Sequence, residues 1–196
     1  FLSLPAAIAL IIGSEEIISA LFGYGSFNHQ SVENSAKALF FFSLGLPAFA
    51  LIKVFSTFFF ANHDTKTPFY ISLLAVLLNV VISIYYFKSL GFIIIPIATT
   101  ISSWFNVILL LIYLENKKYF SLQISFFVSF VKIAFNTILT SAVFYYLIKF
   151  FSESLYYDSQ YKFLTIVSLV ILTFVIYILI SIVTKAFKIT DINLKY

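Results

Sequence analysis

Apolar runs long enough to cross a bilayer dominate this chain, and they decide what it can be. A helix spanning about 30 Å of hydrocarbon needs roughly 20 apolar residues. Runs of that kind cover 32–61, 69–87, 92–114 and 124–151, then 163–187, and a shorter broken one covers 1–22. Charged residues make up only 10% of the 196, far below the roughly 25% that a water-soluble domain of ordinary composition carries. The runs are apolar all round, and no alternating strand pattern with turn signals breaks them, which argues against a β-barrel. The expected fold is therefore all-α, a polytopic membrane bundle of about six transmembrane helices.

Three absences narrow the chemistry. There is no cysteine, which excludes a disulfide framework and thiolate chemistry. There is no methionine, and Phe1-Leu2-Ser3-Leu4-Pro5 lacks a basic n-region, so the chain is expected to be a fragment that begins inside a hydrophobic segment. All twelve basic residues are lysine, leaving no guanidinium fork to grip a phosphate or carboxylate in bidentate fashion.

Local signals set the expected boundaries. Ser14 is the expected N-cap of a short helix with Glu15 and Glu16 in its first turn. Gly23 to Asn28 reads as a turn. Gly45-Leu46-Pro47 should break the long run 32–61, Thr67 should cap a helix beginning at Pro68, and Pro96 should interrupt the run 92–114. The residues 188–196 form a polar tail, and no repeat or linker divides the chain.

Lysine placement orients the spans. If they alternate in direction, Lys53, Lys66, Lys117, Lys118, Lys132, Lys185, Lys188 and Lys195 collect on one side, and Lys37, Lys88, Lys149 and Lys162 on the other. The lysine-rich side is cytoplasmic by the positive-inside rule, which places the His63 to Pro68 loop and the C-terminus inside and the Gly23 to Asn34 loop outside.

Few groups could carry chemistry. Lys53 lies well inside a span, where a cation either faces a polar cavity as a binding group for an anionic substrate or snorkels to the headgroups. Lys132, nearer the end of its span, fits snorkelling. The breaks at Gly45, Pro47 and Pro96 survive in a bilayer only where protein or a cavity re-satisfies the freed carbonyls. Asn79, Ser83, Thr99 and Asn106 are polar at depth. They either converge on a small cation or make interhelical hydrogen bonds. His29 and His63 fall in opposite loops, Glu15 and Glu16 point different ways on one helix, and no phosphate loop or hydrolase motif is present, so no enzyme and no metal site is expected. The basic balance reflects interfacial lysines rather than nucleic-acid binding.

At Asp64-Thr65-Lys66-Thr67-Pro68, preceded by Ala61-Asn62-His63, the chain resembles the MurJ/MviN family of lipid II flippases within the superfamily of multidrug and oligosaccharidyl-lipid exporters. Other signals fit in order: Leu4-Pro5-Ala6-Ala7, Leu21 to Phe27, Gly45-Leu46-Pro47-Ala48 with Lys53, Asn79, Leu90-Gly91, and Ala98-Thr99-Thr100 with Trp104 and Asn106. The resemblance implies a fourteen-helix, two-lobe transporter. In it 1–114 would belong to the second six-helix lobe, 124–187 would be the C-terminal helix pair bordering a lipid-tail groove, and 188–196 would be a cytoplasmic tail. It implies residence in the bacterial cytoplasmic (inner) membrane and movement of the undecaprenyl-diphosphate-linked peptidoglycan precursor between leaflets by alternating access. The implied partners are that precursor, membrane lipids and the N-terminal lobe of the same protein. No cofactor is implied. Ser83 stands where sodium-binding members have an Asp, so no sodium site is assigned and ion coupling stays open. A polysaccharide-lipid or drug exporter of the same superfamily, or a non-transporting scaffold subunit, are the alternative readings.

Overall fold

The computed structural model describes residues 1–119 and 124–186, and no β-strand occurs among the described residues. Their α-helices are, in chain order, α1 Ser3–Ile12, α2 Ser14–Phe22, α3 His29–Ala61, α4 Lys66–Leu90, α5 Ile94–Asn116, α6 Ile124–Phe150, α7 Ser152–Leu155 and α8 Lys162–Val183. The expected tail 188–196, with Lys188, Asp191 and Lys195, lies outside the described residues, as does the last residue of the run 163–187.

Four helical runs among the described residues are long and apolar enough to cross a bilayer, or five if α1 and α2, bent by 79° at Gly13, count as one broken span. One of these runs, Lys66–Asn116, is 51 residues long, but it folds back on itself. Asn79 on α4 bonds Thr99 and Ser102 on α5, which only an antiparallel pair allows. Its arms have 25 and 23 residues, each of spanning length. The expected all-α membrane architecture is what the described residues form.

The fold-back depends on Gly91. Its φ of 60° and ψ of −144° lie in a region that side chains with a Cβ scarcely enter, and no atom stands within 4 Å of where a Cβ would be. Glycine is needed there for the torsion, not for space. A turn of 3₁₀ helix, Gly91–Ile93, then leads into α5.

Proline placement corrects two expectations. Pro5, Pro68 and Pro96 are each the third residue of a helix, where the missing N–H had no intrahelical partner to lose. Pro96 therefore starts α5 and does not interrupt a span, because the α-helix begins only at Ile94. Pro47 alone lies inside a helix, α3, which runs on through it, so the break expected at Gly45-Leu46-Pro47 does not divide the run either. Two capping expectations also change. Ser14 is the first residue of α2 and makes no capping bond, since Gly13 holds the cap position between the two bent segments. Thr67 is inside α4, and the side chain of Asp64 does the capping instead.

Proximity groups the chain into two compact units, residues 1–36 with 123–196, and residues 37–122; the expected division into 1–114 and 124–187 follows chain order. In the first unit, α6 packs on α1 and α8, and α2 packs on α8. Its core is Ala20, Phe144, Ile148, Leu155, Ile166 and Leu169. In the second, Ala48, Phe55 and Phe59 of α3 meet Ile71 of α4 and Val107, Leu110 and Leu114 of α5. Outward faces stay apolar: Ile84 is 73% exposed and Val81 63%. Such faces suit lipid as solvent, because each helix satisfies its own backbone.

Candidate functional site

The polar residues of α4 and α5 meet along the inner face of the hairpin. Asn79 Nδ2 donates to Thr99 Oγ1 at 3.1 Å and to Ser102 Oγ at 3.3 Å, and Asn106 Nδ2 donates to Ser72 Oγ at 3.4 Å. These groups line a groove of about 280 Å³ together with Ile52, Ala75, Val76 and Ser103. Of the expected set, the structure brings Asn79 and Thr99 together, whereas no side-chain bond to the half-buried Ser83 occurs among the described residues. The Ile95 carbonyl already accepts the Thr99 hydroxyl at 2.8 Å. Asn79 thus offers its donor end to the two hydroxyls. Asn106 Oδ1 is buried with no partner among the described residues.

The turn between α3 and α4 carries the resemblance motif, and its geometry explains the residue types. Asp64 Oδ1 accepts the Thr67 N–H at 3.0 Å and Asp64 Oδ2 accepts the Thr67 hydroxyl at 2.7 Å, which closes the first turn of α4. His63 takes a positive φ of 57° to bring the chain round. The second partner of Asp64 is Lys117, beyond the end of α5, whose ammonium donates to Asp64 Oδ2 and, at 3.0 Å, to Thr67 Oγ1. Lys117 and the two Thr67 donors hold the Asp64 carboxyl down to about 2, and the same pairing raises Lys117. Lys66, within the same motif, is exposed. Lys117 was legible in principle: a tight turn at Gly91 between arms of equal length must bring the start of α4 beside the end of α5.

Around Pro47, two side chains of α5 donate into the backbone of α3. Thr100 Oγ1 donates to the Phe41 carbonyl at 2.6 Å and Trp104 Nε1 to the Leu44 carbonyl at 3.1 Å. A Cβ on Gly45 would stand 3.0 Å from Thr100 Oγ1, so glycine there permits the approach. Lys53, two turns further along α3, is exposed on this unit; its carbonyl accepts the Thr57 hydroxyl at 2.9 Å, and no bond to its ammonium occurs among the described residues.

In the first unit, an apolar pocket of about 200 Å³ lies among α1, α6 and α8, lined by Leu2, Pro5, Ala9, Phe144, Phe174 and Tyr177 among others. At the other end of α8 stands a residue that sequence reasoning counted only as a loop charge. Lys162 is 2% exposed, and its ammonium donates to the Gly23 carbonyl at 2.7 Å and the Tyr157 carbonyl at 2.6 Å. It lies 4.3 Å from the ring centre of Tyr24 and 4.6 Å from that of Tyr157.

A family profile described as "Lipid II flippase MurJ" matches residues 1–166. A protein of Rickettsia prowazekii named "Probable lipid II flippase MurJ" is 41% identical over 112 residues, 57% of this chain and 22% of the relative. A Thermotoga maritima protein of the same name is 39% identical over 102 residues, covering 52% of this chain and 22% of the relative. A solved structure titled "Lipid II flippase MurJ, inward closed conformation" matches with a TM-score of 0.75 at 24% identity, over 93% of this chain and 36% of that one. The chain thus spans about a fifth of the length of these curated relatives.

Proposed function

The chain belongs to the MurJ family of lipid II flippases, and from that membership and the geometry above we propose that it forms part of a machine that moves the lipid-linked peptidoglycan precursor from the inner to the outer leaflet of the bacterial cytoplasmic membrane. The observation that carries the reading is the profile match across 1–166, which includes helices of both units. The work is transport without covalent chemistry, and the Asp64 turn and the C-terminus face the cytoplasm.

Alternating access is the mechanism proposed. The helices of this chain rock against the N-terminal part of the protein, closing and opening a central cavity. The polar contacts of α4 and α5 make that hairpin one stiff lever, since Asn79, Asn106 and the Asp64–Lys117 pair tie its arms at several levels. The bonds of Asn79 favour this stapling role over cation binding. Lys53 supplies the intramembrane cation that attracts the anionic diphosphate of the cargo, which would reward a lysine at that depth.

The test is complementation with the full-length natural protein in cells depleted of their own flippase, reading lipid II at the outer face by its susceptibility to an added hydrolase. Restored exposure is the expected result; growth arrest with lipid II confined inside would refute the reading. Within that assay, Lys53→Ala should lower outer-face lipid II while Lys132→Ala leaves it unchanged, and equal, unimpaired exposure in both would remove Lys53 from the substrate path.

A further inference from the structure

We propose that Lys162 is a releasable latch, which seats the outer turn Gly23 to Asn28 on the loop before α8 and lets it go during the transport cycle. A lysine this deeply enclosed would ordinarily be neutralised by a carboxylate. Here its bonded partners are two backbone carbonyls and its walls are two tyrosine rings. One carbonyl belongs to Gly23, the residue that ends α2, so the charge sits at the negative end of that helix. The ammonium thus leaves the N-terminus of its own helix α8, where a cation is disfavoured, for a helix end that welcomes it.

Further contacts surround the seat, one of them joining the same two loops. The Tyr157 hydroxyl donates to the Phe27 carbonyl at 2.6 Å, the Tyr157 ring lies 5.8 Å from that of His29, and the Tyr24 hydroxyl returns to the Ala20 carbonyl at 2.9 Å. A Cβ on Gly23 would stand 2.5 Å from the Ser19 carbonyl oxygen and 3.2 Å from the Lys162 ammonium, so the end of α2 itself requires glycine there and the cation uses the space that this leaves. Apart from Lys162 itself, the groups that grip the ammonium belong to turns and not to helix interiors, so releasing it melts no helix. An apolar plug would close this seat permanently. A lysine with no carboxylate bonded to it, Asp158 acting on it only through space, balances its seat against hydration, and the rim is within reach of water because Tyr24 is 49% exposed.

The experiment places cysteines at the exposed Ser26 and Gln160 of the full-length protein, any native cysteines elsewhere having been replaced, and measures the distance between spin labels on them. A single narrow distance is expected with Lys162 present, with loss of that peak into a broad distribution in Lys162→Met and its retention in Lys162→Arg. Tyr24→Leu, which removes one wall at a half-exposed position, should broaden the peak by less and guards against a Lys162→Met protein that fails to fold. In a second arm, a cleavable crosslinker joining the two cysteines should stop transport, and cleavage should restore it. A narrow peak in both Lys162→Met and Tyr24→Leu would overturn the seat, and full transport by crosslinked protein would overturn its release. The distance arm does not depend on the proposed cargo; failure of the uncrosslinked parent to move lipid II would count against that cargo alone.

Discussion

At the scale of single residues, three side chains of modest hydropathy signal carry much of the structure. Asp64 is both the cap of α4 and the partner of Lys117, and its chemistry fixes a pH window. Its carboxyl titrates at about 2 in the folded protein against an ordinary 3.8. A depressed carboxylate contributes stability above its unfolded value, and that contribution is lost as the pH falls through the folded one. Thermal melting in detergent should therefore carry the full contribution of this pair, independent of pH, around neutrality and should lose it between the ordinary carboxylate value and about 2. The Asp64→Asn variant should lack that acid limb; an identical limb in both proteins would assign it to other groups. Gly45 and Thr100 give a second residue-scale test, because they touch. Thr100→Val removes the donor to the Phe41 carbonyl, an interhelical bond of the kind worth about 0.6 kcal/mol on average in membrane proteins. Gly45→Ala should be costly alone and cheaper in a Thr100→Ala background, and a double-mutant cycle in a reversible unfolding assay reads the coupling; strict additivity would mean the two sites do not meet. Neither Lys117 nor Lys162 was singled out from sequence. Hydropathy records that a residue is charged, but not which turn carbonyls and carboxylates the fold leaves within its reach.

Helices and turns were far more legible. The bilayer imposes a length on every spanning helix, so the runs 32–61, 69–87 and 92–114 fall close to α3, α4 and α5, displaced by two or three residues at several ends. What the runs could not reveal is how prolines sit. Pro96 in a long apolar stretch reads as an interruption unless the helix is known to begin at Ile94, and that start is set by the torsions of Gly91, three residues earlier. The two positions therefore make opposite predictions. Gly91→Ala forces a Cβ into a strained region and should cost about 1–3 kcal/mol although the space is open. Pro96→Ala should cost less, since only the contacts of its buried ring are lost and no helical hydrogen bond is at stake. Equal effects in the same unfolding assay would refute the assigned start of α5. The one-turn helix α7 escaped the reading, since four residues are too few for a periodic pattern; the break at Gly13 was expected, but not the 79° bend it makes.

For the molecule as a whole, the uneven distribution of lysine is the feature that converts a list of helices into an oriented protein. With eight lysines on one side and four on the other, a cysteine at Ser26 should react with a membrane-impermeant maleimide added outside, and one at Asn62 only after the membrane is opened. The reverse pattern would invert the topology. The fold class followed from the same distribution of charge and apolar length, but the two-unit grouping did not, because proximity joins residues 1–36 to the chain beyond 123 and no one-dimensional signal spans that distance. The polar face of the α4–α5 hairpin bears finally on how the protein is made. Asn79 leaves the ribosome some twenty residues before its partners Thr99 and Ser102, and until they follow, α4 presents an unpaired amide to any lipid that surrounds it. The two arms should thus partition from the translocon together, as one inserted element whose amide arrives in the bilayer already paired.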